Sequence, residues 1–215
     1  IGLHQTAITS FAWVLLGTAG VALLAQVRIP LPFTPVPITG QTLGVLLIAA
    51  MLGARLGTAS LGLYLAGGLA GLPFFTGGGS GLAHLTGPTG GFLVGFLTAA
   101  LVVGALAERG WTRSWQKTAA LFAIGSLLIY ICGAAYLAMF TGLRHALAIG
   151  VLPFLPGDLL KATLAAALLS LSLAPAWAAP ELPKELPNDA VNRFLVDKGL
   201  VDAGVPAAAA PEPEG

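Results

Sequence analysis

Apolar residues fall into six long blocks, near residues 8–26, 39–54, 56–71, 89–107, 117–140 and 154–174. A helix needs about 20 apolar residues to cross the hydrocarbon core of a bilayer, so these blocks predict six transmembrane helices joined by short loops. The third block is short and rich in glycine, which predicts a helix packed among its neighbours. A cleaved signal peptide is the competing reading of the first block. The block lacks a basic leader and runs on into further spans, so a first transmembrane helix is expected.

The polar breaks differ in kind. The first contains Pro30, Pro32, Pro35 and Pro37. Each proline lacks an N–H and restricts the residue before it, so this segment is expected to be extended or turn-like. The second break is little more than Gly53 to Gly57, the third is a glycine-rich stretch from Gly67 to Gly91, and the fifth runs from about Thr141 to Gly150. The fourth is basic, with Arg109, Arg113 and Lys117. With Arg55, these cations outnumber Arg28 and Arg144 on the alternate loops, which predicts that the even loops and both termini are cytoplasmic. Composition then changes: residues 175–215 are rich in proline and alanine and hold most of the acidic residues. They are expected to form a disordered cytoplasmic tail, at most with a short helix near 188–200. Residues 1–174 are expected to form the membrane domain.

Composition agrees with lipid as the solvent. The chain of 215 residues is 56% hydrophobic and 9% charged, with a mean hydropathy of +0.88. Soluble domains carry roughly a quarter charged residues. A net charge of +1 argues against a nucleic-acid partner. The single cysteine, Cys132, can form neither an internal disulfide nor a metal site alone.

Before residue 180 the only acidic residues are Glu108 and Asp158. Asp158 opens the last apolar block, and Lys161 follows three residues on, a spacing that puts both on nearby positions of one helical face. Ionisable groups at membrane depth cost about 2.5–3.5 kcal/mol on insertion scales and are by default functional. Mutual neutralisation, a place in the headgroup zone, or a helix cap at Asp158 are the competing structural roles. The functional reading is a pocket for a polar small molecule: a carboxylate accepts from N–H donors and an ammonium attracts a carboxylate. Under the inferred orientation the proline-rich and glycine-rich loops share the outer end with this pair. Phe33, Phe74, Phe75 and Phe92 are candidate apolar walls, each with ordinary packing or lipid contact as its alternative. Arg28 either contacts a ligand or snorkels to headgroups, with equal weight. Gln41 and His84 are weaker candidates, since Gln41 can simply bond between helices and a lone histidine makes no metal site. Thr34, Gly78 and Gly90 complete the candidate set from the irregular loops, where glycine lets backbone approach a ligand. No catalytic spacing or phosphate-binding loop is present, so an enzyme is not expected and no cofactor is implied.

The stretch from Arg28 through Pro37 to Gln41 and Leu43 closely resembles the first-loop signature of the BioY family, the biotin-specific S components of energy-coupling-factor (ECF) transporters. Gly87 to Phe96 is similar to the family's second signature, and Asp158 with Lys161 to its acidic–basic pair in the last helix. The resemblance spans about residues 8–174. It implies an all-α bundle of six transmembrane helices with extracellular loops over a ligand pocket, in a prokaryotic cell membrane. It also implies capture of biotin at the outer face, Asp158 and Lys161 on its polar groups, and partnership with a transmembrane T component and two ATP-binding-cassette ATPases. Docking through an Ala-x-x-x-Ala pattern in the first helix is matched only by Thr18 and Ala22. Self-association into a homo-oligomer is compatible with the sequence. The alternatives are an S component for another vitamin, a membrane-integral enzyme, or a structural membrane subunit.

Overall fold

The computed structural model describes the backbone of residues 2–171 and the side chains of residues 8–165. The tail from 175 to 215, with its helix expected near 188–200, lies outside the described residues. The described elements are α1 (Gly2–Gln26), β1 (Arg28–Ile29), β2 (Ile38–Thr39), α2 (Gln41–Leu69), α3 (Leu82–Thr86), α4 (Gly90–Glu108), α5 (Trp115–Thr141), α6 (Leu143–Gly150) and α7 (Leu155–Leu171). Among the described residues, five helical stretches are long and apolar enough to cross a membrane: 8–26, 41–69, 90–108, 115–141 and 143–165.

The second and third apolar blocks are the two arms of α2. Gly53 interrupts it with φ 78° and ψ −178°, a conformation that L-residues avoid. In an unbroken helix Gln41 and Tyr64 would lie about 34 Å apart. Their side chains are instead in hydrogen-bond contact, and Gly57 packs on the Ala49 backbone. The chain therefore reverses at Gly53, and the arms 41–52 and 54–69 lie antiparallel. Glu108, at the end of α4, closes this turn: its Oε1 accepts from the backbone N–H of Ala54 at 2.8 Å. It thereby satisfies one of the donors that a helix start leaves free.

Other expectations meet the structure in detail. The proline-rich break is a small antiparallel ribbon, with Arg28 opposite Thr39 and Ile29 opposite Ile38. The glycine-rich break contains the short helix α3. The fifth break is not a simple loop. Gly142 ends α5 at φ 81°, and α6 follows, burying Ala146, Ile149 and Gly150 while Arg144 and His145 stay exposed.

Large apolar side chains such as Phe11, Leu16 and Leu23 cover the outside of α1. Lipid is as apolar as these residues, so close packing and interhelical hydrogen bonds hold the helices together. On α4, Gly95 lies against the backbone of Ile129 on α5, and Phe92 covers Gly133. Thr18 Oγ1 on α1 donates to the Ser60 carbonyl at 3.0 Å, a bond between helices of about 0.6 kcal/mol in typical membrane proteins. The loop ends at 26–41 and 69–90 meet at one end of the bundle, and the Gly53 turn and Glu108 lie at the other.

Candidate functional site

A cavity of about 250 Å³ opens at the end where the loops meet. Its apolar wall includes Phe75 from the glycine-rich loop, Phe92, Leu93 and Phe96 from α4, Ile129 from α5, and Phe154. Two groups of polar side chains interrupt that wall.

The first group is built on α7. Lys161 Nζ lies 3.2 Å from Asp158 Oδ1 and donates to Thr42 Oγ1 at 2.7 Å. The Tyr130 hydroxyl of α5 donates to Asp158 Oδ2. The side chains of Asp158 and Lys161 are 12% and 16% exposed, so the pair is largely desolvated yet open to the cavity. Charge is balanced within the group. An isolated charge there would carry a desolvation penalty of several kcal/mol, which the partner and two hydroxyls offset. An ammonium has three donors, and two of Lys161's are engaged here.

The second group centres on Gln41, the first residue of α2, which is 6% exposed. Its side-chain amide bonds to Thr76 at 2.7 Å, to Thr39 at 3.4 Å and to the Tyr64 hydroxyl of the opposite arm at 2.5 Å. Thr39 Oγ1 also accepts from the Gln41 backbone N–H at 3.3 Å. One side chain thus ties together the ribbon, both arms of α2 and the glycine-rich loop.

That loop is also held from α1. Gln26 Oε1 accepts from the Gly78 N–H at 2.8 Å, and its Nε2 donates to the Phe75 carbonyl at 3.3 Å. The Arg28 guanidinium lies against Gly77, where any Cβ would collide with it. His84 covers Gly79 in the same way, holds the Ser80 carbonyl through Nδ1 at 3.2 Å, and lies 5.5 Å from the Phe75 ring.

Of the residues singled out in the sequence, Asp158, Lys161, Arg28, Gln41, Phe75, His84 and Phe92 line this cavity. The others lie outside its lining. Phe33 is 60% exposed, and Thr34 Oγ1 accepts from the Val36 N–H within the ribbon turn. Phe74 stacks on Tyr64, Gly78 bonds to Gln26, and Gly90 packs on the Leu85 carbonyl. Sequence reasoning missed Tyr130, Thr42, Thr39 and Thr76. Tyr130 carried a usable signal as a polar tip inside an otherwise apolar block. The threonines carried none, since isolated hydroxyls are common in membrane helices. Among the described residues no three His, Cys, Asp or Glu side chains gather as a metal site.

Comparisons with known proteins point to one family. Residues 3–178 match the model of the BioY family. The chain is 40% identical over 148 residues to Biotin transporter BioY of Rhizobium etli, covering 65% of this chain and 79% of that protein. It is 40% identical over 167 residues to Biotin transporter BioY2 of Lactococcus lactis, covering 75% and 88% respectively. It superimposes with a TM-score of 0.67 and 30% identity on a crystal structure of the S-component for biotin from an ECF-type ABC transporter, covering 77% of this chain and 90% of that one. With four-fifths of its length matched by one family model, the chain belongs to the BioY family.

Proposed function

We propose that this protein is the substrate-binding S component of an ECF biotin transporter and that the cavity is its biotin site. The observation that carries the reading is the pairing of a balanced Asp–Lys group and a hydroxyl–amide group within one apolar-walled cavity. Biotin offers matching chemistry: ureido N–H donors and a carbonyl, an apolar bicycle and chain, and a carboxylate. In this reading Asp158 accepts from ligand N–H groups, Lys161 supplies a donor, and Phe75, Phe92 and Phe96 flank the apolar parts. Arg28, Gln41 and His84 complete the wall.

The two arms of α2 count as separate crossings, giving six. Arg55, Arg109, Arg113 and Lys117 lie toward the Gly53 end, while Arg28 and Arg144 lie toward the cavity end. The cationic excess supports a cytoplasmic Gly53 end and start of α1, with the cavity opening outward. Family membership supports a T component and two ATPases as the partners that couple capture to uptake.

Equilibrium binding of biotin to the purified full chain in detergent, with thiamine and riboflavin as competitors, tests the assignment. Tight binding that neither competitor displaces is expected. Folded protein that ignores biotin but takes another vitamin would overturn the ligand and leave the bundle standing.

A further inference from the structure

Gln41 organises the second polar group, and its amide has two ways round. With Nε2 toward Tyr64, the Tyr64 hydroxyl acts as acceptor, and its own proton meets no acceptor among the described residues. Tyr64 is fully buried, so that proton would lose its hydration with nothing in return. Turned by 180°, the amide satisfies the buried Tyr64 proton and both of its own, and leaves the Thr39 and Thr76 protons free. Tyr64 then donates to the Gln41 carbonyl oxygen, and the two amide protons go to Thr39 and Thr76. The 2.7 Å to Thr76 fits either orientation. Such networks are what decide an amide's orientation.

We infer that Gln41, oriented by Tyr64, is a positioning residue that turns the Thr39 and Thr76 hydroxyls into donors facing the cavity, where with Arg28 they receive the ligand's carboxylate. A threonine oxygen that accepts from the amide keeps its own proton for another partner. Thr39 is the stricter case, because it also accepts from the Gln41 backbone N–H and so has only its proton left to offer. Both threonines line the cavity. Arg28 lines it too and has no carboxylate partner among the described residues. In the other polar group Lys161 is already neutralised by Asp158, so it has no unpaired positive charge to offer a second carboxylate. This assignment rests on the biotin reading and deepens it by giving the acid end of the molecule its wall.

The test compares biotin with biotin methyl ester, whose charge is removed, in the purified full chain. Dissociation constants for both are measured in the wild type, Tyr64→Phe and Gln41→Glu, and only their ratio within each protein is read, so any inactive fraction cancels. The wild type is expected to prefer biotin by about tenfold or more, as a charge-assisted contact requires. Gln41→Glu replaces two donors with an acceptor and should abolish the preference mainly by weakening biotin. Tyr64→Phe removes the proton that fixes the amide and should reduce the preference several-fold. It carries the same readout if Gln41→Glu does not fold. Equal affinity of the wild type for acid and ester, or an undiminished preference in both variants, overturns the inference while leaving biotin as the ligand. A wild type that binds neither compound overturns the biotin reading, and this inference with it.

Discussion

Glu108 and Asp158, the two acidic side chains before residue 180, solve the problem of a carboxylate in an apolar chain in different ways. Glu108 stays exposed at one end of the bundle and spends its charge on a helix start, accepting from the Ala54 N–H beside the Gly53 turn. Asp158 lies largely desolvated in the cavity wall, held by Lys161 and Tyr130. The first geometry serves the backbone alone. The second leaves carboxylate lone pairs and an ammonium proton facing open space, which is the arrangement a ligand needs. The environment of a carboxylate, more than its rarity, separates the two.

The sharpest break of that contrast is Asp158→Asn. The side chain keeps its shape and one acceptor but loses its charge, so Lys161 is left unbalanced. Biotin affinity is expected to fall at least tenfold, a loss of about 1.4 kcal/mol or more. Titration of folded protein checks it, and unchanged affinity would remove Asp158 from the site. Lys161→Met keeps the length of the side chain and deletes its donors. A loss of about fivefold is expected, the worth of one ordinary hydrogen bond; wild-type affinity would mean that the lysine only neutralises Asp158. Glu108→Ala should do the converse of both. Biotin affinity stays within error, while stability drops by about 0.5–1 kcal/mol, the value of a lost cap at an exposed helix start. Thermal denaturation followed alongside binding separates the two outcomes, and weakened binding in this variant would erase the distinction between the carboxylates.

Much of this was legible in the chain. The proline-rich break had to leave the helix, and it does so as a ribbon that brings Arg28 beside the cavity. The i, i+3 spacing of Asp158 and Lys161 put them on one face, and they pair there. Other features depend on contacts between distant segments, which local pattern does not encode. Tyr130 meets Asp158 across 28 residues, and Lys161 reaches Thr42 across 119. Glu108 reads as part of a basic loop, because nothing near it in sequence indicates that the start of the second α2 arm lies within reach. The helix α6 escaped notice because its eight residues are too short and too mixed in character to register beside the long apolar blocks. Phe33 and Phe74 drew attention as aromatic side chains near loops, but aromaticity alone does not say which way a ring turns. Here one is exposed and the other stacks on Tyr64.

The reversal at Gly53 also bears on how the chain sits in a bilayer. The arm from Gln41 to Leu52 is about 18 Å long and the arm from Ala54 to Leu69 about 24 Å, each shorter than the ~30 Å hydrocarbon core. Neither is long enough to cross comfortably by itself, so the two cross as a packed pair joined by a one-residue turn. They therefore form a single hairpin, and the contact between Gln41 and Tyr64 ties its two open ends together. One wall of the cavity is thus built within a single hairpin, and the α4 and α5 side chains supply the wall opposite.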